Sequence, residues 1–155
     1  YFLNKFKLKS CVEFGCGLGK TMNFINSNTK TKLLGVDISE TSIKKAKKFF
    51  PELEFKVDSI ENILNYKDFD CFFFSEICWM LLENKLIDKI FNSIKREFKG
   101  KYLINNLSFY KGKQQYGREY FTDLNEFVNF CPFKLINKVE IENETGFETS
   151  AIFLI

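Results

Sequence analysis

The stretch Val12-Glu-Phe-Gly-Cys-Gly-Leu-Gly-Lys-Thr21 constrains this chain more than any other. The short apolar run Ser10-Cys-Val-Glu-Phe14 reads as a strand that runs straight into Gly15, and helix-like sequence follows from Lys20 to about Ser27. Glycines at 15, 17 and 19 let the backbone turn tightly and approach a ligand without Cβ collisions. A P-loop, G-x-x-x-x-G-K-T, would use Gly19-Lys20-Thr21, but its first glycine would fall on Phe14. The dinucleotide fingerprint G-x-G-x-x-G would need its third glycine at Lys20. What stands is E-x-G-x-G-x-G at a strand-to-helix turn.

The rest of the chain continues the alternation. Residues 32–36 form a second buried strand ending at Asp37, and Ile43, Ala46 and Phe50 recur at helical spacing before Pro51. Residues 53–57 alternate as a third strand ending at Asp58, and the all-apolar run 71–74 suits a central parallel strand. Ile87, Ile90, Phe91, Ile94 and Phe98 mark one stripe of a long helix stopped by Gly100. A fifth strand follows at 102–104. Asp123 and Glu126 read as a capping box, with Pro132 closing that helix. Strands at about 133–142 and 149–155 flank a turn at 143–146 and read as a hairpin. The expectation is an α/β chain, a mostly parallel sheet with helices on both faces and a terminal antiparallel hairpin. Ligands of such sheets bind beyond the carboxyl ends of the strands, so residues there are the candidates for chemistry.

Composition removes several alternatives. A chain of 155 residues, 45% hydrophobic and 28% charged, is a globular domain rather than a disordered or fibrous segment. One domain is expected, because no repeat or Pro/Gly/Ser linker interrupts it. The chain begins at Tyr1 rather than Met, so preceding residues are expected to be missing. With no His, imidazole bases, His-based triads and His–metal sites are excluded. The net charge of +3 is spread along the chain and includes only two arginines, Arg96 and Arg118. No nucleic-acid or membrane partner is expected from it, and oligomeric state is left open. The five cysteines show no C-x-x-C spacing, which argues against a disulfide framework or zinc site and points to a reducing cytoplasm. No bound metal is expected.

The E-x-G-x-G-x-G loop resembles motif I of the class I S-adenosylmethionine-dependent methyltransferases, and the resemblance extends along the chain. Gly35-Val36-Asp37-Ile38-Ser39 matches the family's second strand end, where a carboxylate binds both ribose hydroxyls. Val57-Asp58-Ser59-Ile60 matches its third, where an acidic residue faces the adenine amino group, and Ile38 and Ile60 resemble the apolar pair around the adenine. Phe74-Ser-Glu-Ile-Cys-Trp-Met-Leu81 resembles motif IV of small-molecule members, without the N-P-P-Y type tetrapeptide of nucleobase and glutamine N-methyltransferases. The resemblance implies a Rossmann-like three-layer sandwich with a seven-stranded sheet, the family's N-terminal lid helices being expected to be absent or to lie before Tyr1. It implies S-adenosylmethionine as cofactor and S-adenosylhomocysteine as product.

The cofactor residues so implied are Glu13, Gly15, Cys16, Gly17, Gly19, Asp37, Ile38, Asp58, Ser59, Ile60 and Ser75. Glu76 is the candidate base by position, with holding the cofactor's ammonium as its alternative role. Cys78 has no basic neighbour that would make it a nucleophile. Trp79 reads as lining the acceptor pocket or packing under the methionine tail. The polar, aromatic segment 105–121 reads as a substrate loop, with a solvated loop as the alternative; in it Arg118 meets an anionic group through a planar two-pronged contact, and Tyr116 and Tyr120 bracket it as an amphipathic wall. The expected reaction is methyl transfer to oxygen or nitrogen of a small metabolite, with anionic and sugar-type acceptors in view. The alternative is a non-catalytic cofactor-binding partner subunit.

Overall fold

The computed structural model describes residues 1–155 apart from Lys113, Gln115 and the side chain of Asn84. Seven strands form one sheet in the order β3-β2-β1-β4-β5-β7-β6, and the chain packs as two compact units, Tyr1–Ser75 and Glu76–Ile155.

The first unit holds strands β1 (Ser10–Phe14), β2 (Lys32–Asp37), β3 (Glu54–Val57) and β4 (Cys71–Ser75), all parallel. Helices α1 (Phe2–Lys5), α2 (Lys20–Asn28) and α3 (Glu40–Phe49) and a 3-10 turn at Ile60–Tyr66 complete it. β1 and β4 are buried on both faces, Glu13 being the charged exception: Val12, Phe14, Phe72 and Phe74 are fully buried, with Met22, Ala46 and Ile63 packed from the helices and the 3-10 turn. Register aligns Phe14 with Val36 and Phe74, so the carboxyl ends of the strands lie together. Gly35 is required inside β2, because a Cβ there would lie 2.6 Å from the Phe55 ring and 2.9 Å from Cys16 Sγ.

The second unit holds α4 (Ile77–Leu81), a 3-10 turn at Glu83–Lys85, α5 (Leu86–Glu97), β5 (Tyr102–Tyr110), α6 (Leu124–Phe130), β6 (Lys134–Glu142) and β7 (Gly146–Leu154). The anticipated stripe of α5 is its buried face: Ile87, Ile90, Phe91 and Ile94, with Phe98 beyond it, are at most 3% exposed. β7 runs antiparallel to both β5 and β6, so the terminal hairpin also supplies the strand that pairs with β5. Its turn is held by Asn143 Oδ1, which accepts from the backbone N–H of Thr145 and of Gly146.

Two expectations are corrected here. β5 does not stop at residue 104; it runs to Tyr110, and nine of its residues pair with β7. The polar residues that read as loop are satisfied across the sheet, Asn106 Oδ1 accepting from Ser150 and Ser108 lying opposite Glu148. The capping box is also incomplete. Asp123 Oδ1 accepts from Glu126 N–H as expected, but the Glu126 carboxylate turns to the N–H and hydroxyl of Thr122.

Candidate cofactor and acceptor sites

In the first unit the glycine loop is a backbone device. Gly15, Gly17 and Gly19 have φ of 73°, 53° and 77°, the left-handed region open to glycine at little cost. The N–H groups of Gly15 and Cys16 both donate to Val36 O, fastening the loop to the end of β2. At Gly19 an added Cβ would lie 2.6 Å from the Phe55 ring, so this glycine serves packing. At Gly17 an added Cβ would meet nothing within 4 Å; the loop leaves open space there, into which a ligand can bring its own atoms.

Asp37 orders this loop. Its Oδ2 accepts from Gly17 N–H at 2.8 Å and its Oδ1 from Ser39 N–H at 2.8 Å. Each oxygen keeps a further lone pair, so the carboxylate is oriented and still able to accept from two adjacent hydroxyls. Glu13 lies beneath, 2% exposed, with its Oε2 one of two buried side-chain polar atoms without a partner among the described residues. Burial, and then the charge of Asp37, push its carboxyl up to about 8. An unsatisfied buried carboxyl oxygen beside an open glycine loop is a place for a cationic or hydrogen-donating ligand group.

The other residues predicted for this site are arranged less uniformly. Ile38 is 73% exposed, as a wall for a flat apolar ligand would be, whereas Ile60 is 7% exposed and packs in the core. Cys16 is buried, its thiol pushed up to about 12 mainly by burial, and it contributes packing rather than a reactive group. Ser59 caps the 3-10 turn, its Oγ accepting from Glu61 N–H, and half-buried Ser75 ends β4. Asp58 is already engaged. Its Oδ1 accepts from Asn62 Nδ2 and Ser59 N–H, and its Oδ2 from Tyr66 Oη and Lys56 Nζ, all within 2.8 Å. These contacts, the one from Asn62 foremost, hold its carboxyl well below the usual range. An adenine amino group would have to displace one of those four donors.

In the second unit Glu76 precedes α4 with φ of 59°, an uncommon conformation for a residue with a side chain. Its N–H donates to Asn106 O. Its carboxylate is held at both ends: Trp79 Nε1 donates to Oε2 at 2.9 Å, and Ser108 Oγ donates to Oε1 at 2.8 Å. Burial of that end raises its pKa despite these donors, and the charge of Glu148 raises it further. Trp79 is half-buried against Phe109 and Phe121, at ring separations of 5.6 and 4.9 Å. A Cβ on Gly117 would lie 2.9 Å from the Trp79 ring, so the loop closes down on the indole.

The substrate residues predicted on that loop are dispersed. Tyr116 Oη donates to Glu83 Oε1, and the Tyr120 ring lies edge-on to Phe130. Arg118 is exposed and makes no hydrogen bond or ion pair among the described residues. Cys78 is fully buried, its Sγ donating to Asn105 Oδ1, and burial pushes its thiol up, which fits its exclusion as a nucleophile. Sequence reasoning missed Ser108 and Glu148, which complete the surroundings of Glu76, and Gln114, which ties Tyr110 N–H to Tyr116 O. The only sequence signal for Ser108 was its two-residue spacing from Asn106 on one strand face. A surface groove of about 820 Å³, lined by Leu3, Lys7, Lys9 and Thr31 among others, lies at the amino ends of β1 and β2, away from the glycine loop.

Comparison with known proteins gives a consistent picture. A family model described as a methyltransferase domain matches residues 11–100. The chain is 29% identical over 157 residues to a protein named for methyltransferase activity, 235L of Invertebrate iridescent virus 6. That match covers 90% of this chain and 56% of the relative, so the chain spans about half of the curated relative's length. Among solved structures, the methyltransferase domain of bacterial CtHen1 superposes with a TM-score of 0.76 over 99% of this chain and 94% of that one, at 14% identity. The N-methyltransferase NodS from Bradyrhizobium japonicum, in complex with S-adenosyl-L-homocysteine, gives 0.75 over 98% and 80%, also at 14% identity. At these identities the superpositions show the fold: a Rossmann-like methyltransferase sheet ending in an antiparallel hairpin. Among the described residues no helix is long and apolar enough to cross a membrane.

Proposed function

The chain belongs to the methyltransferase-domain family, whose cofactor is S-adenosylmethionine, and from that premise we propose that it methylates an oxygen or nitrogen of a small metabolite. The observation that carries the reading is the unpartnered buried oxygen of Glu13 beside a glycine loop that leaves open space at Gly17. The residues of the first unit fit the cofactor. Asp37 presents an oriented carboxylate for the ribose hydroxyls, the exposed Ile38 offers an apolar wall for the adenine, and Glu13 answers the cationic methionine end.

When bound, S-adenosylmethionine would supply an activated methyl group for an acceptor heteroatom, leaving the acceptor's proton to be taken up. The protein needs no covalent nucleophile for this; it has to position the acceptor and handle one proton. Glu76 is the group we assign to that proton, because its carboxylate is fixed by Trp79 and Ser108 and desolvation raises its pKa above the ordinary carboxylate value, which strengthens it as a base. Arg118, exposed and without a partner among the described residues, is available to meet an anionic group on the acceptor. A screen of amine, hydroxyl and sugar acceptors, read by release of S-adenosylhomocysteine, tests the reading. Turnover with at least one small acceptor is expected, and binding of S-adenosylmethionine without turnover on any would favour a cofactor-binding subunit instead.

A further inference from the structure

We propose that Ser108 is a proton bridge between Glu76 and Glu148, through which the proton that Glu76 takes from an acceptor reaches solvent. This rests on the assignment of Glu76 as the acceptor's base. Three backbone placements bring the groups together. Ser108 and Glu148 are direct partners in the β5–β7 register, and Glu76 is pinned to the same strand by its N–H bond to Asn106 O. Ser108 Oγ then lies 2.8 Å from Glu76 Oε1 and 2.7 Å from Glu148 Oε2.

The proton count makes this arrangement informative. A serine hydroxyl carries one proton and can donate it to one carboxylate at a time. With both carboxylates ionised, the other short contact would place two acceptor oxygens against each other. A second proton, on either carboxyl, satisfies both contacts. There are two equivalent arrangements: protonated Glu76 donates to Ser108, which donates to Glu148, or the reverse. Passing between them moves two protons along the line. One O–H bond breaks and one forms at Ser108, the Glu76 O–H breaks, the Glu148 O–H forms, and no electrons are transferred.

The direction of travel follows from the surroundings. The group that faces Glu76 from α4 is Trp79, whose indole N–H can donate but cannot take up a proton. From β5 it is Ser108; the ionisable groups tied to Glu76 by charge are Glu148 on β7 and, on α4, the buried Cys78 thiol, which Glu76 helps to keep protonated. Glu148 has Ile141 opposite it on β6 and is itself exposed, so it exchanges directly with water. Glu76 is itself exposed to water, on the side that we take a bound acceptor to cover. With that side covered, Ser108 is the remaining partner that can carry the proton away. Ser108 and Glu148 are thus positioning residues that act through Glu76.

The test is a carboxyl titration by NMR on the full chain labelled with ¹³C at glutamate, with neither cofactor nor acceptor present. In the wild type the Glu76 carboxyl signal is expected to move in two steps, one coinciding with the midpoint of Glu148. Ser108→Ala, with folding checked by circular dichroism, should shrink the separation of those steps to about half or less, and Ser108→Thr should restore it. A one-step Glu76 curve in the wild type, or a separation that Ser108→Ala leaves unmoved, overturns the bridge. Methyl transfer undiminished in Glu76→Gln would instead overturn the assignment on which the proposal rests, and the two failures are read in separate experiments.

Discussion

The candidate cofactor site in the first unit is shaped by backbone; the candidate acceptor site in the second is shaped by side chains. Around the glycine loop, three left-handed glycines, the N–H groups fastened to Val36 O and the clamp from Gly17 N–H to Asp37 do the shaping, and all lie within one strand-turn-strand neighbourhood. Around Glu76 the geometry comes from Ser108, 32 positions further along the chain, and from Glu148, a further 40 positions beyond Ser108, joined by hydrogen bonds between side chains. The difference teaches where each region is vulnerable. A Cβ injures the first, whereas removal of one polar atom injures the second.

The largest effect expected is in the second region. Glu76→Gln keeps the shape and the Trp79 contact but removes the base, so turnover should fall by about 10²–10⁴-fold while affinity for S-adenosylmethionine stays the same. Equal turnover would return Glu76 to a purely structural role. In the first region, Gly17→Val fills the open space at the loop and strains a φ of 53°. It should weaken cofactor binding in calorimetry by about a hundredfold or more with the fold retained. Gly19→Val shows the contrasting outcome: its Cβ would strike the Phe55 ring, so stability should fall by roughly 1–3 kcal/mol. If both glycine variants behaved alike, the distinction between the ligand-facing and packing glycines would fail.

Glu13 sharpens the comparison through pH. In the unfolded chain it ionises in the ordinary carboxylate range, while in the fold burial, and then Asp37, push it up to about 8. As pH rises the unfolded state therefore loses this proton first. The stability that neutral Glu13 contributes is complete below the ordinary carboxylate range and is lost as pH climbs towards 8. Thermal melts of the cofactor-free chain between pH 5 and 8 should show that loss, and Glu13→Gln should lessen it by an amount on the order of a few kcal/mol at pH 8. The smallest effect expected is for Arg118→Lys, which keeps charge and removes the planar fork. It should raise the acceptor's Michaelis constant by about tenfold and leave the cofactor's affinity alone, and unchanged kinetics for both would remove Arg118 from recognition.

The same contrast governs what could be read from the residues. β1, β2, α3 and α5 were legible because apolar residues at a period of two or 3.6 have one physical use, burial, and Gly100 and Pro51 punctuate them. The loop and Asp37 were legible because close backbone approach has few chemical substitutes for glycine. β5 beyond Ile104 was not: Asn105, Asn106 and Ser108 look like loop residues until the strand opposite supplies Ser150 and Glu148. The engagement of Asp58 by Tyr66 and Asn62 was hidden for a related reason, since the 3-10 turn that carries both has no clear period. Side-chain networks across strands depend on register, and register is set by pairings far apart in sequence.

Whether the first unit holds S-adenosylmethionine through Asp37 is tested most directly by titration calorimetry of the cofactor against wild type and Asp37→Ala. The wild type should bind one equivalent. Asp37→Ala removes charged hydrogen bonds worth on the order of 1.5–3 kcal/mol each and frees Gly17 N–H, so affinity should drop by at least about tenfold. Equal affinity in the two proteins, or no binding by the wild type, would contradict it.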